Sequence, residues 1–317
     1  MRRSNLAKFA LTFQRSVRTF QNLDGRPRDT SFPFISGDTY RSIADVYFDL
    51  ELWSRIRNGS RVMPQNLLDD GSIVFVECIL LRDPAVESAL RQWVAATEGS
   101  VRLKFIFANG DEPPNLGFRQ FLQSRGHSIF SHNVMDGENG VTPIPLGLQN
   151  ATHRRFGVTN DFLLSLDESR NPPVRPRRRD IFVYGNFSVG SNPDARGPLK
   201  SLLEKSRFGF VDTNLSVREN RFRMLRAKFV PSPAGLGPDC YRTWEALYLG
   251  SVPVVLGGTL ASSITEGMPL WVVESWDELI LATDEELDAK FLAFSAVGRE
   301  KTLFPYWQAL INGNSLL

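Results

Sequence analysis

The chain has 317 residues, of which 42% are hydrophobic and 23% charged, with 37 lysines and arginines against 35 aspartates and glutamates. That length is about twice the usual ~150 residues of a domain, so we expect two domains. The composition excludes a disordered chain, a collagen and a coiled coil. The near-neutral charge argues against a nucleic-acid-binding protein, which carries a basic excess on one face.

The N-terminal residues 1–20 place apolar and basic side chains in the pattern of an amphipathic helix. We interpret it as a helix packed on its own domain, with peripheral contact to an anionic membrane surface as the alternative. The apolar stretch 9–13 is too short for a signal-peptide core, and no apolar run is long enough for a transmembrane helix. Cys78 and Cys240 make no metal-ligand spacing. These features together predict a cytoplasmic protein.

The first half of the chain alternates strand-like and helix-like segments. Strands are predicted at 32–35, 73–81, 101–108, 128–134 and 141–148, and helices at 40–52, 84–97 and 116–124. The β-branched and aromatic run at 73–81 is typical of a buried parallel strand. Asp38 and Thr39 precede the first helix, and either can cap it. The alternation predicts a parallel sheet with helices on both faces.

A proline- and arginine-rich stretch, 167–180, has the composition of a linker. We therefore predict an N-terminal domain at 1–170, a linker at 171–180 and a C-terminal domain at 181–317. Solvated linker residues are the favoured interpretation of Arg177, Arg178 and Arg179, with a phosphate site as the alternative.

The second half repeats the alternation. Strands are predicted at 181–184, 208–211, 228–231, 252–256 and 270–273, and helices at 196–206, 217–227, 240–249 and 276–296. The fold expected is α/β, with two doubly wound, Rossmann-like domains facing a cleft. A ligand binds such folds at the carboxyl ends of the parallel strands, here in the cleft.

The most informative segment is 228–258, which reads as a strand, a loop broken by Gly235 and Gly237, a helix, a glycine turn and a second strand. A helix that starts after a glycine loop presents free N–H groups to an anion. Arg242 lies in the first turn of this helix, where its guanidinium group can bind a phosphate. Glu245, on the same face, can accept hydrogen bonds from ribose hydroxyls. A surface ion pair between Arg242 and Glu245 explains the spacing equally well.

This segment resembles the nucleotide-sugar-binding signature of exostosin-like glycosyltransferases, which runs from Lys-Phe through Ser-Pro, a glycine loop and Asp to Arg-x-x-Glu-Ala-Leu. Residues 184–188, with Asn192, Pro193 and Arg196, resemble the first strand and loop of that family's C-terminal domain. Residues 144–150 resemble the end of its first domain. The resemblance implies a GT-B fold and the transfer of a sugar from a nucleotide-sugar donor to a hydroxyl of a glycan or glycolipid, in polysaccharide or glycoconjugate synthesis.

The same resemblance implies roles for residues of the second half. Glu245 would bind the donor ribose and Arg242 the diphosphate. The other residues implied at the donor site are Asn186, Ser188, Arg196, Gly235, Gly237 and Asp239. The family's reaction needs no metal, and this sequence has no Asp-x-Asp motif at a predicted strand end to hold one. No cofactor is expected, since the nucleotide sugar is a substrate.

The catalytic base is sought in the first half, because an inverting transferase needs a carboxylate or histidine beside the acceptor hydroxyl. Asp38 is the first candidate and Asp111 the second, each in a loop after a predicted strand, although Asp38 also suits a helix cap and Asp111 a turn. Glu77 suits a buried structural carboxylate, and His132 could face the cleft. A non-catalytic nucleotide- or glycan-binding module of the same fold is the alternative to an enzyme, because fold alone does not choose.

Overall fold

The computed structural model describes residues 31–49, 53, 68–97, 101–151, 162, 179–210 and 215–314. The predicted helix at 1–20 and residues 171–178 of the predicted linker lie outside these ranges, so both stay predictions. Within them, no helix combines the length and the apolar sequence needed to cross a membrane.

The first half forms a parallel sheet in which the five described strands lie in chain order. The strands are β1 (Val46–Phe48), β2 (Ile73–Glu77), β3 (Lys104–Ala108), β4 (Ser128–Ser131) and β5 (Val141–Pro143). The described helices of this half are α1 (Gly37–Ser42), α2 (Pro84–Ala96) and α3 (Leu116–Gln123). Asp83 caps α2 and Asn115 caps α3, each by accepting a hydrogen bond from a first-turn N–H group.

The second half repeats this arrangement with four described parallel strands, again in chain order. They are β6 (Ile181–Val183), β7 (Ala227–Pro231), β8 (Val252–Leu256) and β9 (Trp271–Val273). The described helices are α4 (Pro193–Lys205), α5 (Val217–Arg226), α6 (Tyr241–Tyr248), α7 (Ser262–Thr265), α8 (Asp277–Ile280), α9 (Asp284–Ser295) and α10 (Phe304–Asn312). The α/β fold with two parallel sheets is thereby confirmed.

Alternate residues of each strand enter different cores, because successive side chains of a strand point to opposite faces. In β2, Val74 and Val76 pack with α2 and α3, whereas Ile73 and Phe75 face the second half. In β7, Phe229 packs with α4 and α9, whereas Val230 faces the first half. The inward-facing residues of both sheets form one continuous apolar cluster. The two sheets therefore share a core between them.

The beginning of the first domain differs from the prediction. Residues 32–35 are not a strand: Phe34 makes an isolated antiparallel bridge to Leu303. The predicted helix at 40–52 is shorter and earlier, since α1 ends at Ser42 and β1 follows it. Its cap is neither Asp38 nor Thr39, because the Ser36 hydroxyl accepts the hydrogen bond from a first-turn N–H group. The strand β1 was not predicted because a three-residue edge strand carries too short a pattern to be recognised in sequence.

Four further predictions need correction. Residues 208–210 are turn and coil rather than strand. The strand predicted at 73–81 ends at Glu77, and a 3₁₀ helix, Cys78–Arg82, completes the apolar run. The strand predicted at 141–148 ends at Pro143. Arg179 is not a solvated linker residue: its guanidinium group donates to the backbone carbonyls of Met224, Ala227 and Leu249 and to the Ser251 hydroxyl.

Candidate functional site

The loop between β7 and α6 is held against the loop that follows β6 by one buried arginine. Arg196, on α4, donates from Nε to the carbonyl of Ala234 at 2.8 Å and from Nη1 to the carbonyl of Ser188 at 2.8 Å. A Cβ atom on Gly235 would lie 2.9 Å from Nη2 of Arg196, so a glycine is needed for this close packing. Burial, together with the charge of Arg242, lowers the pKa of Arg196.

Arg242 lies at the start of α6, above the loop that follows β6. Its Nε donates to the carbonyl of Asn186 at 2.9 Å, and its guanidinium carbon lies 5.6 Å from the centre of the Phe187 ring. Among the described residues, no hydrogen-bond acceptor is recorded for its two terminal nitrogens. Ser188, two residues after Asn186, is exposed. The Arg242 fork is therefore available to an anion.

Glu245 lies one turn further along α6 and is paired with an arginine of another helix. Its Oε1 lies 3.7 Å from Nη2 of Arg221 on α5, and the two side chains are only 14% and 4% exposed. Burial raises the pKa of Glu245, while Arg221 and Arg242 oppose that shift. The surface-pair interpretation of Arg242 and Glu245 is wrong, since the recorded salt bridge of Glu245 is made to buried Arg221.

Asp239 links the two halves instead of facing an open site. Its carboxylate accepts hydrogen bonds from the backbone N–H of Leu146 at 2.8 Å and from the Trp244 indole at 2.9 Å. Burial raises the pKa of Asp239 to about 6. Both oxygens are occupied by these structural bonds, so the structure assigns this residue to the contact between the sheets. The binding of the donor by Asp239 stays a prediction.

From the first half of the chain, Asn133 contacts the glycine loop of the second half. Its amide nitrogen donates to the carbonyl of Asp111 at 2.9 Å, and its oxygen accepts from the backbone N–H of Asp239 at 3.1 Å. A Cβ atom on Gly237 would lie 2.7 Å from this amide nitrogen. Asn133 has a φ of 59°, in the left-handed region that asparagine tolerates better than most residues. One side chain thus sets the spacing between Asp111 and the start of α6.

The two predicted base candidates have different surroundings. The Asp111 carboxylate is 44% exposed and lies 3.7 Å from Nη2 of Arg82. It borders a cavity of about 110 Å³ lined by Arg82, Pro113 and Asn115, among others. Asp38 is 3% exposed, and its Oδ2 accepts a hydrogen bond from the Ala151 N–H at 2.7 Å. Asp111 is therefore the more accessible of the two carboxylates.

A buried polar network lies beneath Asp38. Asn150 accepts from the Asp38 N–H at 3.0 Å and donates to Asn109 at 3.0 Å, and Asn109 donates to Glu77 at 3.0 Å. Glu77 ends β2 and is 6% exposed, so the prediction of a buried structural carboxylate is confirmed. Asn109, like Asn133, has a positive φ, of 58°.

The described histidines make structural contacts. His132 is 1% exposed, and its Nε2 lies 2.5 Å from the carbonyl of Gly110. Burial lowers the pKa of His132 to about 4, which leaves the ring neutral at pH 7. The Nδ1 atom of His127 accepts from the Leu103 N–H at 3.1 Å. The His132 ring is nevertheless among the residues that line a narrow gap opposite Tyr241 of the second half, as predicted.

Three residues of the site were not predicted from sequence: Arg221, Asn133 and Tyr241. Tyr241, the first residue of α6, faces Asn109, His132 and Asn150 across a narrow polar gap between the halves. No local pattern marks Arg221, because a helix rich in arginine predicts solvent exposure. The Asn-Gly pair at 109–110 was a usable signal for the turn that faces Tyr241, since asparagine before glycine favours a positive φ at a strand end.

Comparison with known proteins shows a similarity at the sequence level. The chain is 25% identical over 182 residues to ribitol-5-phosphate xylosyltransferase 1 of Homo sapiens. The aligned region covers 52% of this chain and 40% of the human protein, so the match spans less than half of that relative's length. No protein-family model matches the chain. The similarity supports a glycosyltransferase in general.

Proposed function

We propose that this protein is a glycosyltransferase that moves a sugar from a nucleotide-sugar donor to a hydroxyl group of a glycan or glycolipid. The observation that carries the proposal is the charge at the start of α6. Two guanidinium groups, those of Arg221 and Arg242, act on one carboxylate, that of Glu245, and a third, that of Arg196, is close enough to Arg242 for the charge of Arg242 to lower its pKa. A nucleoside diphosphate supplies both the missing negative charge and hydroxyls for the carboxylate. The similarity to a human xylosyltransferase supports the same reaction class.

The proposed donor contacts come from the loops that follow β6 and β7 and from α6. Arg242 would bind the diphosphate with the terminal nitrogens that its bond to Asn186 leaves available. Glu245 would accept hydrogen bonds from the ribose, and Ser188 would line the site. Gly235 and Gly237, which Arg196 and Asn133 approach closely, would hold the loop in the conformation that receives the donor. Arg196, which already holds two loops, is the second phosphate candidate. These roles are proposals.

We place the catalytic base at Asp111 and not at Asp38, because the Asp111 carboxylate is 44% exposed and Asp38 is only 3% exposed. In the proposed step, the acceptor oxygen forms a bond to the anomeric carbon as its proton passes to the Asp111 carboxylate. The bond from that carbon to the diphosphate breaks, and the electron pair leaves with the diphosphate, whose charge Arg242 offsets. Attack opposite the leaving group inverts the anomeric centre.

The finer parts of this assignment are also proposals. They comprise membership of the exostosin-like transferases, the GT-B arrangement, a role in polysaccharide or glycoconjugate synthesis, and a cytoplasmic location with peripheral membrane contact through residues 1–20. The described residues contain no group of three or more histidine, cysteine or acidic side chains arranged to hold a metal ion. Metal independence rests on the guanidinium groups, which can perform the charge-offsetting role of a cation.

The proposal is tested by calorimetric titration of the full chain with UDP, GDP, CDP and dTDP, each with and without excess EDTA. We expect one of them to bind, with the same dissociation constant in EDTA, because Arg242 and the α6 N-terminus supply the positive charge. Failure of all four to bind would contradict the donor site. Binding that requires Mn²⁺ or Mg²⁺ would contradict metal independence alone.

Two substitutions separate the proposed ribose and diphosphate contacts. Charge-assisted hydrogen bonds contribute about 1.5–3 kcal/mol each, so losing one weakens binding roughly ten- to a hundredfold. Glu245→Gln should weaken ribonucleotides more than their 2′-deoxy analogues. Arg242→Ala should weaken diphosphates more than free nucleosides. Calorimetry measures both, with circular dichroism to confirm folding. Equal losses for all ligands in both variants would contradict these roles.

A further inference from the structure

The helix α5 carries several arginines whose surroundings differ. Arg218 is exposed, and Arg226 forms a salt bridge with Asp180 at the surface. Arg221 is 3% exposed and points into the protein. A charge of this kind is costly to bury unless the fold provides a partner for it. The groups that pair with Arg221 therefore explain why an arginine is buried at this position of α5.

Among the groups that Arg221 contacts, two described ones orient its guanidinium group. Its guanidinium carbon lies 4.4 Å from the centre of the buried Phe162 ring, an arrangement that favours a planar cation. Its Nη2 lies 3.7 Å from Oε1 of Glu245. Among the described residues, Oε2 of Glu245 accepts no recorded hydrogen bond. One oxygen of the carboxylate is thus engaged from α5, and the other is available to a ligand.

We propose that Arg221 is a positioning residue for the donor site, which pairs with one oxygen of Glu245 and aims the second oxygen at the ribose hydroxyls. The inference rests on the proposed function, because it assumes that Glu245 binds a ribose. Arg221 itself touches no substrate. Its effect passes through one carboxylate on the neighbouring helix.

The electrostatics of Glu245 support this role. Burial favours the neutral acid and raises the pKa of Glu245, and a neutral acid is a poorer acceptor for two hydroxyls. The charged groups that act on it are Arg221, from α5, and Arg242, on its own helix. Arg242 is already bonded to the carbonyl of Asn186. Removing Arg221 therefore raises the pKa of Glu245 further, and protonation occurs at a higher pH.

The test measures ribose preference, the ratio of dissociation constants for 2′-deoxy and ribonucleoside diphosphates, as a function of pH. The probes are UDP and GDP with their 2′-deoxy counterparts, and the proteins are wild type, Arg221→Met, Arg221→Lys and Arg218→Met. We expect Arg221→Met to lose ribose preference by about tenfold at the acid end of the pH range and to regain it as the pH rises. Arg218→Met, which removes an equal charge from the exposed face of α5, should match the wild type.

The variants distinguish positioning from a structural role. Arg221→Lys keeps the charge and loses the fork, so it should weaken ribose preference without moving its pH midpoint; it also serves if Arg221→Met does not fold. Ribose preference equal to the wild type at every pH, in either folded variant, would overturn the inference. If the wild type binds neither UDP nor GDP, the donor-site proposal fails for these ligands, and this inference fails with it. Nucleotide binding by the wild type with unchanged ribose preference in the variants contradicts this inference alone. Absence of binding by the wild type contradicts the donor site itself.

Discussion

Asp111→Asn should lower kcat by about 10²–10⁴ while leaving the dissociation constant of the nucleotide unchanged. An amide cannot take the acceptor proton, and Asp111 belongs to the first half of the chain, whereas Arg242 and Glu245 lie on α6 of the second half. The change preserves size, and the backbone carbonyl that Asn133 bonds is untouched. The measurement is initial-rate kinetics on the full chain, with calorimetry for nucleotide binding.

The matched control is Asp38→Asn, which makes the same chemical change at an enclosed carboxylate. Its amide oxygen can still accept from the Ala151 N–H, so we expect kcat within a few-fold of the wild type. A large loss of kcat in Asp38→Asn together with normal turnover in Asp111→Asn would return the base to Asp38. Tight nucleotide binding without turnover in the wild type would favour the non-catalytic module.

Asp239→Asn should change how stability depends on pH. Burial raises the pKa of Asp239 from 3.8 to about 6, so the folded state binds a proton more readily than the unfolded chain. Stability from such a group is fully present below its unfolded pKa and is lost as the pH rises through its folded pKa. A difference of about two pKa units corresponds to about 3 kcal/mol. Relative to Asp239→Asn, the wild type should therefore lose about that free energy of unfolding between about pH 4 and pH 7.

The variant is needed because His132 titrates in the same window with the opposite sign. Its pKa falls to about 4 on burial, so its contribution is lost as the pH decreases from its ordinary value of 6.5. Comparing wild type with Asp239→Asn by chemical denaturation at each pH cancels the His132 contribution. The quantity compared is the free energy of unfolding of the wild type minus that of Asp239→Asn. If this difference stays constant or increases as the pH rises, the assigned titration of Asp239 is contradicted.

Segments whose local pattern and burial agree were predictable from sequence. The strand at 252–256 was predicted with its observed bounds, because its β-branched residues are buried on both faces. The helix α6 was predicted to within a residue at each end, since a glycine loop precedes it and Gly250 follows it. Both features are set by neighbours in the chain.

Features that depend on distant residues were not predictable. The Ser36 cap was missed because three adjacent polar residues could each cap α1, and the backbone conformation selects among them. The burial of Arg221 depends on Phe162 and Glu245, which are far from it in sequence. The same applies to Asp239, whose carboxylate bonds to Leu146 in the other half. The type of a side chain indicates its preference for solvent. It does not indicate the distant partner with which a charged side chain can be buried.

The last helix, α10, returns to the first half of the molecule. Phe304 packs against Tyr40 with ring centres 5.5 Å apart, its N–H donates to the carbonyl of Pro33, and Lys104 donates to the carbonyl of Asn312 near the C-terminal end of that helix. The core beside the first sheet thus includes residues from both ends of the described chain. A truncation before residue 303 would keep all five described strands of that sheet and still expose Tyr40 to water. Any attempt to express the first half alone would therefore have to graft this helix onto it.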